Sequence, residues 1–234
     1  LHTYRILFNF KFHKMNNLTL IIPAKNEAES LPRVISELEK FNFNLNVVLH
    51  KSDFDTIKAI EKLNVKMVFQ KNFGYGDAII EGINNCNTKY FCIFNADGSF
   101  RPEEIEEMIK SIDKNNLDFV FGSRYQSNSG SEDDTLLTLV GNYFFTFFGN
   151  LMFKLGITDI LYTFVLGKTE LAKRLNLSQK DFTICVELPI KAKKNDMKLG
   201  SISCYERRRI AGKKKVNAFK DGFLILIHML KLYF

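Results

Sequence analysis

The sequence has no tryptophan, and its four cysteines (Cys86, Cys92, Cys185 and Cys204) form no CxxC pair. No histidine stands at metal-ligand spacing from them. That excludes a structural zinc site of the usual kind and a disulfide-stapled scaffold, and the cysteines read as free thiols of a reducing compartment. No apolar run reaches the roughly 20 residues of a membrane-spanning helix. Tyr143–Phe153 and Phe223–Phe234 come nearest, and Asn150, His228 and Lys231 interrupt them. Both runs read as core helices or as aromatic-rich helices lying at a membrane surface. No internal repeat is visible. Residues 1–14 lack the pattern of a signal peptide; basic, aromatic and unpatterned, they read as a non-native or disordered extension, with Met15 as the natural start.

What is present is ordinary globular composition, 46% hydrophobic and 25% charged over 234 residues, with an uneven charge distribution. The net charge is +7, yet residues 191–215 hold ten Lys and Arg against Asp196 and Glu206, which is +8 and leaves the rest near neutral. A single basic segment calls for phosphate, nucleic acid or an anionic membrane as partner. Nucleic acid is the poorest fit, because no stacking aromatics are interleaved with these charges.

Hydrophobic patterning alternates strand and helix through the first half. Apolar runs at Leu18–Ile22, Leu45–Leu49, Val65–Phe69, Tyr90–Phe94 and Phe119–Phe121 predict strands. Helices are predicted over Ser30–Phe41, Phe54–Leu63, Asp77–Asn85 and Glu103–Asp113. This is the pattern of an α/β sheet wound on both faces. The second half is less regular: a polar, mobile stretch Gln126–Thr135, a helix Leu136–Lys154, a strand-like Tyr162–Leu166, a helix Phe182–Lys194, a strand Leu199–Cys204, the basic loop and a last helix. Residues 15–234 read as one domain with an elaborated C-terminal half.

The chemistry concentrates where strands end. Tyr90–Phe94 runs straight into Asn95-Ala96-Asp97-Gly98, and Pro102, Glu103 and Glu104 then open a helix. A carboxylate just past the carboxyl end of a buried strand is where α/β sheets bind ligands. Ile22-Pro23-Ala24-Lys25-Asn26-Glu27, Asn72-Phe73-Gly74-Tyr75-Gly76, Gly122-Ser123-Arg124-Tyr125 and Arg209-Ile210-Ala211-Gly212-Lys213-Lys214-Lys215 stand at other element junctions. Glycines let backbone approach a ligand, and arginine forks suit phosphate.

These five segments, in this order, resemble the family 2 glycosyltransferases of the GT-A fold, especially the dolichol-phosphate mannose synthase and bacterial polyprenyl-phosphate branch. The resemblance implies a Rossmann-like, mostly parallel sheet. It implies that Pro23, Lys25, Glu27, Asp53, Gly74, Gly76 and Asn95 border a nucleotide-sugar donor, and that Asp97 with Asn95 holds Mg²⁺ or Mn²⁺. Arg124, Arg209 and Lys215 would act on phosphates. Two departures stand out: Asn95 replaces the first acid of the DxD motif, and His50-Lys51 replaces an acidic pair at the end of the second strand, so the donor base stays open.

The activity implied is inverting transfer of a sugar to a polyprenyl phosphate, at the cytoplasmic face of an anionic membrane with which the enzyme makes peripheral contact. Two alternatives remain: transfer to a glycan hydroxyl in cell-surface synthesis, with Glu132, Asp133 and Asp134 as the stock of bases, and a non-catalytic binding protein with a degraded site.

Overall fold

Continuous apolar strands form where both faces of a sheet are covered, and that is how the first half of this chain folds. The computed structural model describes residues 17–212 and 218–234; the expectations for residues 1–14 and for Lys215 lie outside the described residues. Strands β1 (Leu18–Pro23), β2 (Asn44–Leu49), β3 (Lys66–Phe69) and β4 (Tyr90–Ile93) alternate with helices α1 (Leu31–Leu38), α2 (Phe54–Ile60) and α3 (Tyr75–Asn84). Helix α4 (Glu104–Asn115) leads to β5 (Phe119–Ser123). The short β6 (Gly130–Ser131) precedes the long helix α5 (Leu136–Phe153). Strand β7 (Val165–Lys168), helices α6 (Thr169–Arg174) and α7 (Ile184–Lys194), strands β8 (Leu199–Ser203) and β9 (Tyr205–Glu206) and helix α8 (Ala218–Tyr233) complete the described chain.

The main sheet has seven strands in the order β3-β2-β1-β4-β7-β5-β8. All its pairings are parallel except those of β7, which runs antiparallel between β4 and β5. Side chains alternate faces along each strand. Leu18, Leu20 and Ile22 of β1, with Tyr90 and Cys92 of β4, meet α1, α2 and α4 on one face. Ile21, Phe91 and Ile93 meet α3, α5, α7 and α8 on the other. The mostly parallel, doubly covered sheet is the one expected, while α6 and the antiparallel setting of β7 were not foreseen.

Two further expectations change. Gln126–Thr135 is not a loose polar loop: β6 pairs with β9, and Tyr125 Oη donates to Asp134 at 2.5 Å. The apolar run at Tyr143–Phe153 extends back to Leu136, and by length and composition this 18-residue helix is enough to cross a membrane, with 22% of it buried. Its polar residues gather on the docked face: Asn142 Nδ2 donates to Asp159 Oδ1 at 2.5 Å, and Thr146 is buried beside it. Leu136, Leu137, Val140, Tyr143, Phe147 and Leu151 are exposed.

Candidate active site

The carboxyl ends of β1, β2, β4 and β5 open on one edge of the sheet. Beyond β4 the chain turns sharply at Asn95–Ser99. Asp97 Oδ1 accepts the Ser99 backbone N–H at 3.0 Å, an Asx turn that leaves Oδ2 for another partner. Asn95 Oδ1 accepts the Tyr75 hydroxyl at 3.2 Å, and that hydroxyl also meets Thr163 Oγ1 at 2.8 Å. Burial pushes the Tyr75 phenol well above its ordinary value, so it stays a donor. Nothing in the sequence marked Tyr75, which lies between the two glycines of its motif.

The segment 207–212 lies over this turn. Arg207 N–H donates to Ser99 O and Ile210 N–H to Asp97 O, both at 2.8 Å. Gly98 makes the contact possible: its φ is +81°, and a Cβ there would stand 2.4 Å from Ile210 Cδ1. Arg207 forks onto Glu37 at 2.8 and 3.0 Å. Arg209 sets Nη2 2.6 Å from Asp133 Oδ2 and Nη1 3.7 Å from Asp97 Oδ2. The hydrogen bond to Asp133, working against partial burial and helped by Asp97, raises the pKa of Arg209 further. Gly212 lies beside the Glu27 carboxylate: a Cβ added there would stand 3.9 Å from Oε2. The loop therefore spans from Asp97 to Glu27.

Glu27 and Asp53 lie on adjoining turns. Asp53 Oδ2 accepts the Asn26 N–H at 2.7 Å, and Thr56 Oγ1 accepts the Glu27 N–H at 2.9 Å. Glu27 is buried and takes the Ser30 hydroxyl at 2.6 Å. Pro23 ends β1, and Lys25 follows on the exposed side of the same turn. At the end of β2, His50 meets Ser52 Oγ at 2.7 Å and stacks on Phe73 with ring centroids 3.9 Å apart.

Three assignments take a different form. The close approach at Gly74 and Gly76 is to the chain's own backbone: a Cβ would stand 2.0 Å from Lys180 O at the first and 2.1 Å from Gln179 O at the second. The N–H of Asp77, in the first turn of α3, donates to Lys180 O at 3.1 Å, so it is spent inside the protein. The Gln179 side of that contact is fixed by Glu187, a fully buried carboxylate that accepts the N–H groups of Ser178 and Gln179.

Arg124 is held by two carboxylates of the chain itself. Asp159 takes its Nε at 2.8 Å and its Nη2 at 3.2 Å, and Glu206 takes Nη1 at 3.1 Å. Burial opposes its charge, but Asp159 and Glu206 more than offset that and hold its pKa above the ordinary value. The described residues of the basic segment, finally, are dispersed. Arg207 and Arg209 are paired, Lys191 meets Glu187 at 2.7 Å on α7, and Lys213–Lys215 lie outside the described residues.

Asp97 with the Asn95 amide is an oxygen-only donor set, suited to a hard divalent cation. The described residues hold no group of three or more His, Cys, Asp or Glu that could bind a metal unaided. A cation here needs further oxygens from a ligand, as Mg²⁺ takes them from phosphates.

Sheet order, a carboxylate turn beyond the central strand and an arginine loop closing on it make the arrangement expected of a GT-A fold. Glucosyl-3-phosphoglycerate synthase of Mycobacterium tuberculosis, solved with Mn²⁺, UDP and glucosyl-3-phosphoglycerate, superposes with a TM-score of 0.74 over 95% of this chain and 81% of its own, at 13% identity. Mannosyl-3-phosphoglycerate synthase of Rubrobacter xylanophilus gives 0.66 over 94% and 73%, at 14% identity. These likenesses concern the fold alone.

The sequence model of Glycosyl transferase family 2 matches residues 19–175, and the chain belongs to that family. The UDP-N-acetylglucosamine–dolichyl-phosphate N-acetylglucosaminyltransferase of Methanococcus voltae is 27% identical over 207 residues, covering 78% of this chain and 82% of that protein. An uncharacterised protein of Methanocaldococcus jannaschii is 25% identical over 203 residues, covering 83% and 84%.

Proposed function

We propose that this glycosyltransferase moves a sugar from a uridine diphosphate donor to a polyprenyl phosphate at the surface of an anionic membrane, with inversion at the anomeric carbon. The observation that carries the reading is the junction of site and apolar surface. Asp133, which grips Arg209, stands three residues before Leu136, where the exposed stripe of α5 begins. Phe219 and Phe223 of α8, which packs on α5, are exposed as well. An acceptor whose head group is charged and whose tail is lipid fits such a junction. The Methanococcus relative, named for a UDP-sugar and a dolichyl phosphate, supports both substrate classes.

In this reaction a phosphate oxygen of the acceptor attacks the anomeric carbon as the bond from that carbon to the donor diphosphate breaks, and UDP leaves. A phosphate monoester with its second pKa near ~6 is largely dianionic at pH 7, so it needs no general base. Arg209 sits where it can take charge developing on the leaving diphosphate. A divalent cation, Mg²⁺ or Mn²⁺, held by Asp97 with the Asn95 carbonyl would supply further neutralisation of that charge. The helices α5 and α8 lie in the interface plane, and each nearby Lys or Arg adds on the order of 1 kcal/mol on an anionic leaflet. On this reading the enzyme works peripherally at the cytoplasmic face of the membrane.

One observation favours a second reading, transfer to a hydroxyl of a soluble phosphorylated or glycan acceptor. Asp133 is a carboxylate linked to Asp97 through Arg209, close enough to the site to serve as a base. The solved fold neighbours are named for phosphoglycerate acceptors. The deciding test supplies labelled UDP-sugars with Mn²⁺ to the protein, with polyprenyl phosphate in anionic vesicles or with soluble phosphorylated acceptors. Lipid-linked product, together with vesicle binding that weakens as salt rises, is expected. Product only on the soluble acceptor, from a protein that ignores vesicles at low salt, overturns the lipid reading. Absence of any UDP-sugar turnover returns the chain to a non-catalytic binding role.

A further inference from the structure

We infer that Arg209 is a resident counter-ion for Asp97, parked by Asp133, so that a divalent cation is admitted to Asp97 together with a donor diphosphate and not before it. The inference rests on the glycosyltransferase reading, and adds an order of binding and a positioning role for Asp133.

Asp97 has one oxygen to offer. Oδ1 is held by the Ser99 N–H at 3.0 Å, and Oδ2 faces Arg209 Nη1 at 3.7 Å. A guanidinium and a metal ion directed at the same carboxylate oxygen repel each other, and at this range inside a protein the repulsion is large. The backbone around Arg209 is tied to the turn at several points. Ile210 N–H is bonded to Asp97 O, Ile210 fills the space over Gly98, and Arg207 is forked onto Glu37 two residues earlier. Asp133 sets where the Arg209 side chain rests, by contacts of 2.6 Å from Nη2 and 3.4 Å from Nε.

Two carboxylates sharing one guanidinium leave the cluster with one negative charge, which weakly attracts a bare cation and repels none of the diphosphate's partners. Once a diphosphate brings its own negative charges, the metal and Arg209 can both remain, the metal on Asp97 and the guanidinium on the diphosphate. The metal and the diphosphate therefore bind with positive coupling, and Arg209 is the residue through which they are coupled.

Two substitutions should move metal affinity in opposite directions. Arg209→Gln removes the competing charge from Asp97. Asp133→Asn removes the partner that draws the guanidinium aside and lets it settle wholly on Asp97. Mn²⁺ binding to the full chain is measured by electron paramagnetic resonance, with and without UDP, after thermal unfolding has shown each variant to be folded. Arg209→Lys serves as the charge-conserving control.

The wild type should bind Mn²⁺ weakly alone and at least about tenfold more tightly with UDP. Arg209→Gln should tighten Mn²⁺ alone by about five- to tenfold and shrink the UDP enhancement, while Asp133→Asn should weaken Mn²⁺ alone by about threefold or more. Arg209→Lys should stay near the wild type. Unchanged Mn²⁺ affinity in Arg209→Gln, or a shift of the same sign in both variants, overturns the inference while leaving the glycosyltransferase reading intact. If UDP-dependent Mn²⁺ binding is missing from the wild type, or survives Asp97→Ala, the metal site of the proposed function falls as well.

Discussion

Replacing Arg124 by alanine should cost this protein stability before it costs turnover. Its side chain is 10% exposed and ties together β5, the segment after α5 and β9, through Asp159 and Glu206. Asp159 is fully buried and also takes the Asn142 amide and the backbone N–H groups of Arg124 and Tyr162. Deleting the cation leaves two carboxylates facing each other in a site with little water. Removing one partner of a buried ion pair costs about 3–5 kcal/mol. A domain holds about 5–15 kcal/mol in all, and in a chain of this size each kcal/mol moves the midpoint by about 2–4 °C. Arg124→Ala should therefore lower the unfolding temperature by roughly 6–20 °C. Arg124→Lys keeps the charge, loses the fork and should fall between. Raising salt should change these differences little, since buried pairs are weakly screened. The assay is thermal unfolding by circular dichroism, read beside kcat/KM. A midpoint within about 2 °C of wild type, with turnover reduced a hundredfold or more, would refute the argument and return Arg124 to the acceptor phosphate.

Asp97→Ala should lower the midpoint by only a few degrees, for the loss of the Ser99 N–H bond and of the contact with Arg209, and should abolish UDP-dependent Mn²⁺ binding; calorimetry with Mn²⁺ and UDP decides it. Asn95→Asp restores a second carboxylate and should tighten Mn²⁺ binding severalfold; no gain in a titration would show that Asn95 does not reach the metal. Gly76→Ala would force a Cβ to 2.1 Å from Gln179 O and should cost about 1–3 kcal/mol, seen in urea unfolding. Glu187 supplies a pH test. Burial works against its charge, but Lys191 and the amides of Ser178 and Gln179 overcome it and hold its pKa below the ordinary 4.5. A depressed folded pKa gives stability that is present above 4.5 and is lost as pH falls through the folded value. Exchange at the Gln179 amide should therefore accelerate below that pH in wild type and be pH-flat in Glu187→Gln once intrinsic exchange is subtracted.

The sequence by itself determined the alternating strands and helices of the first half and the turn at Asn95–Ser99. Each is a local matter: apolar period, a proline or acid at a helix start, an Asx turn. The order of five motifs was enough to indicate the GT-A sheet, and Glu27, Asp53 and Asp97 were found at its carboxyl edge. Only the tertiary structure decided partners. Arg124 meets acids 35 and 82 residues away, and Arg209 meets one 76 residues away. The glycines at 74 and 76 make room for backbone at 179–181. None of these pairings has a sequence period, because each depends on which strands lie side by side. Strand β7 enters between β4 and β5 in the antiparallel sense, and β8 closes on β5. That order carries β9 and the basic loop over the β4 turn, where opposite charges in a half-buried setting choose each other by distance and not by spacing along the chain.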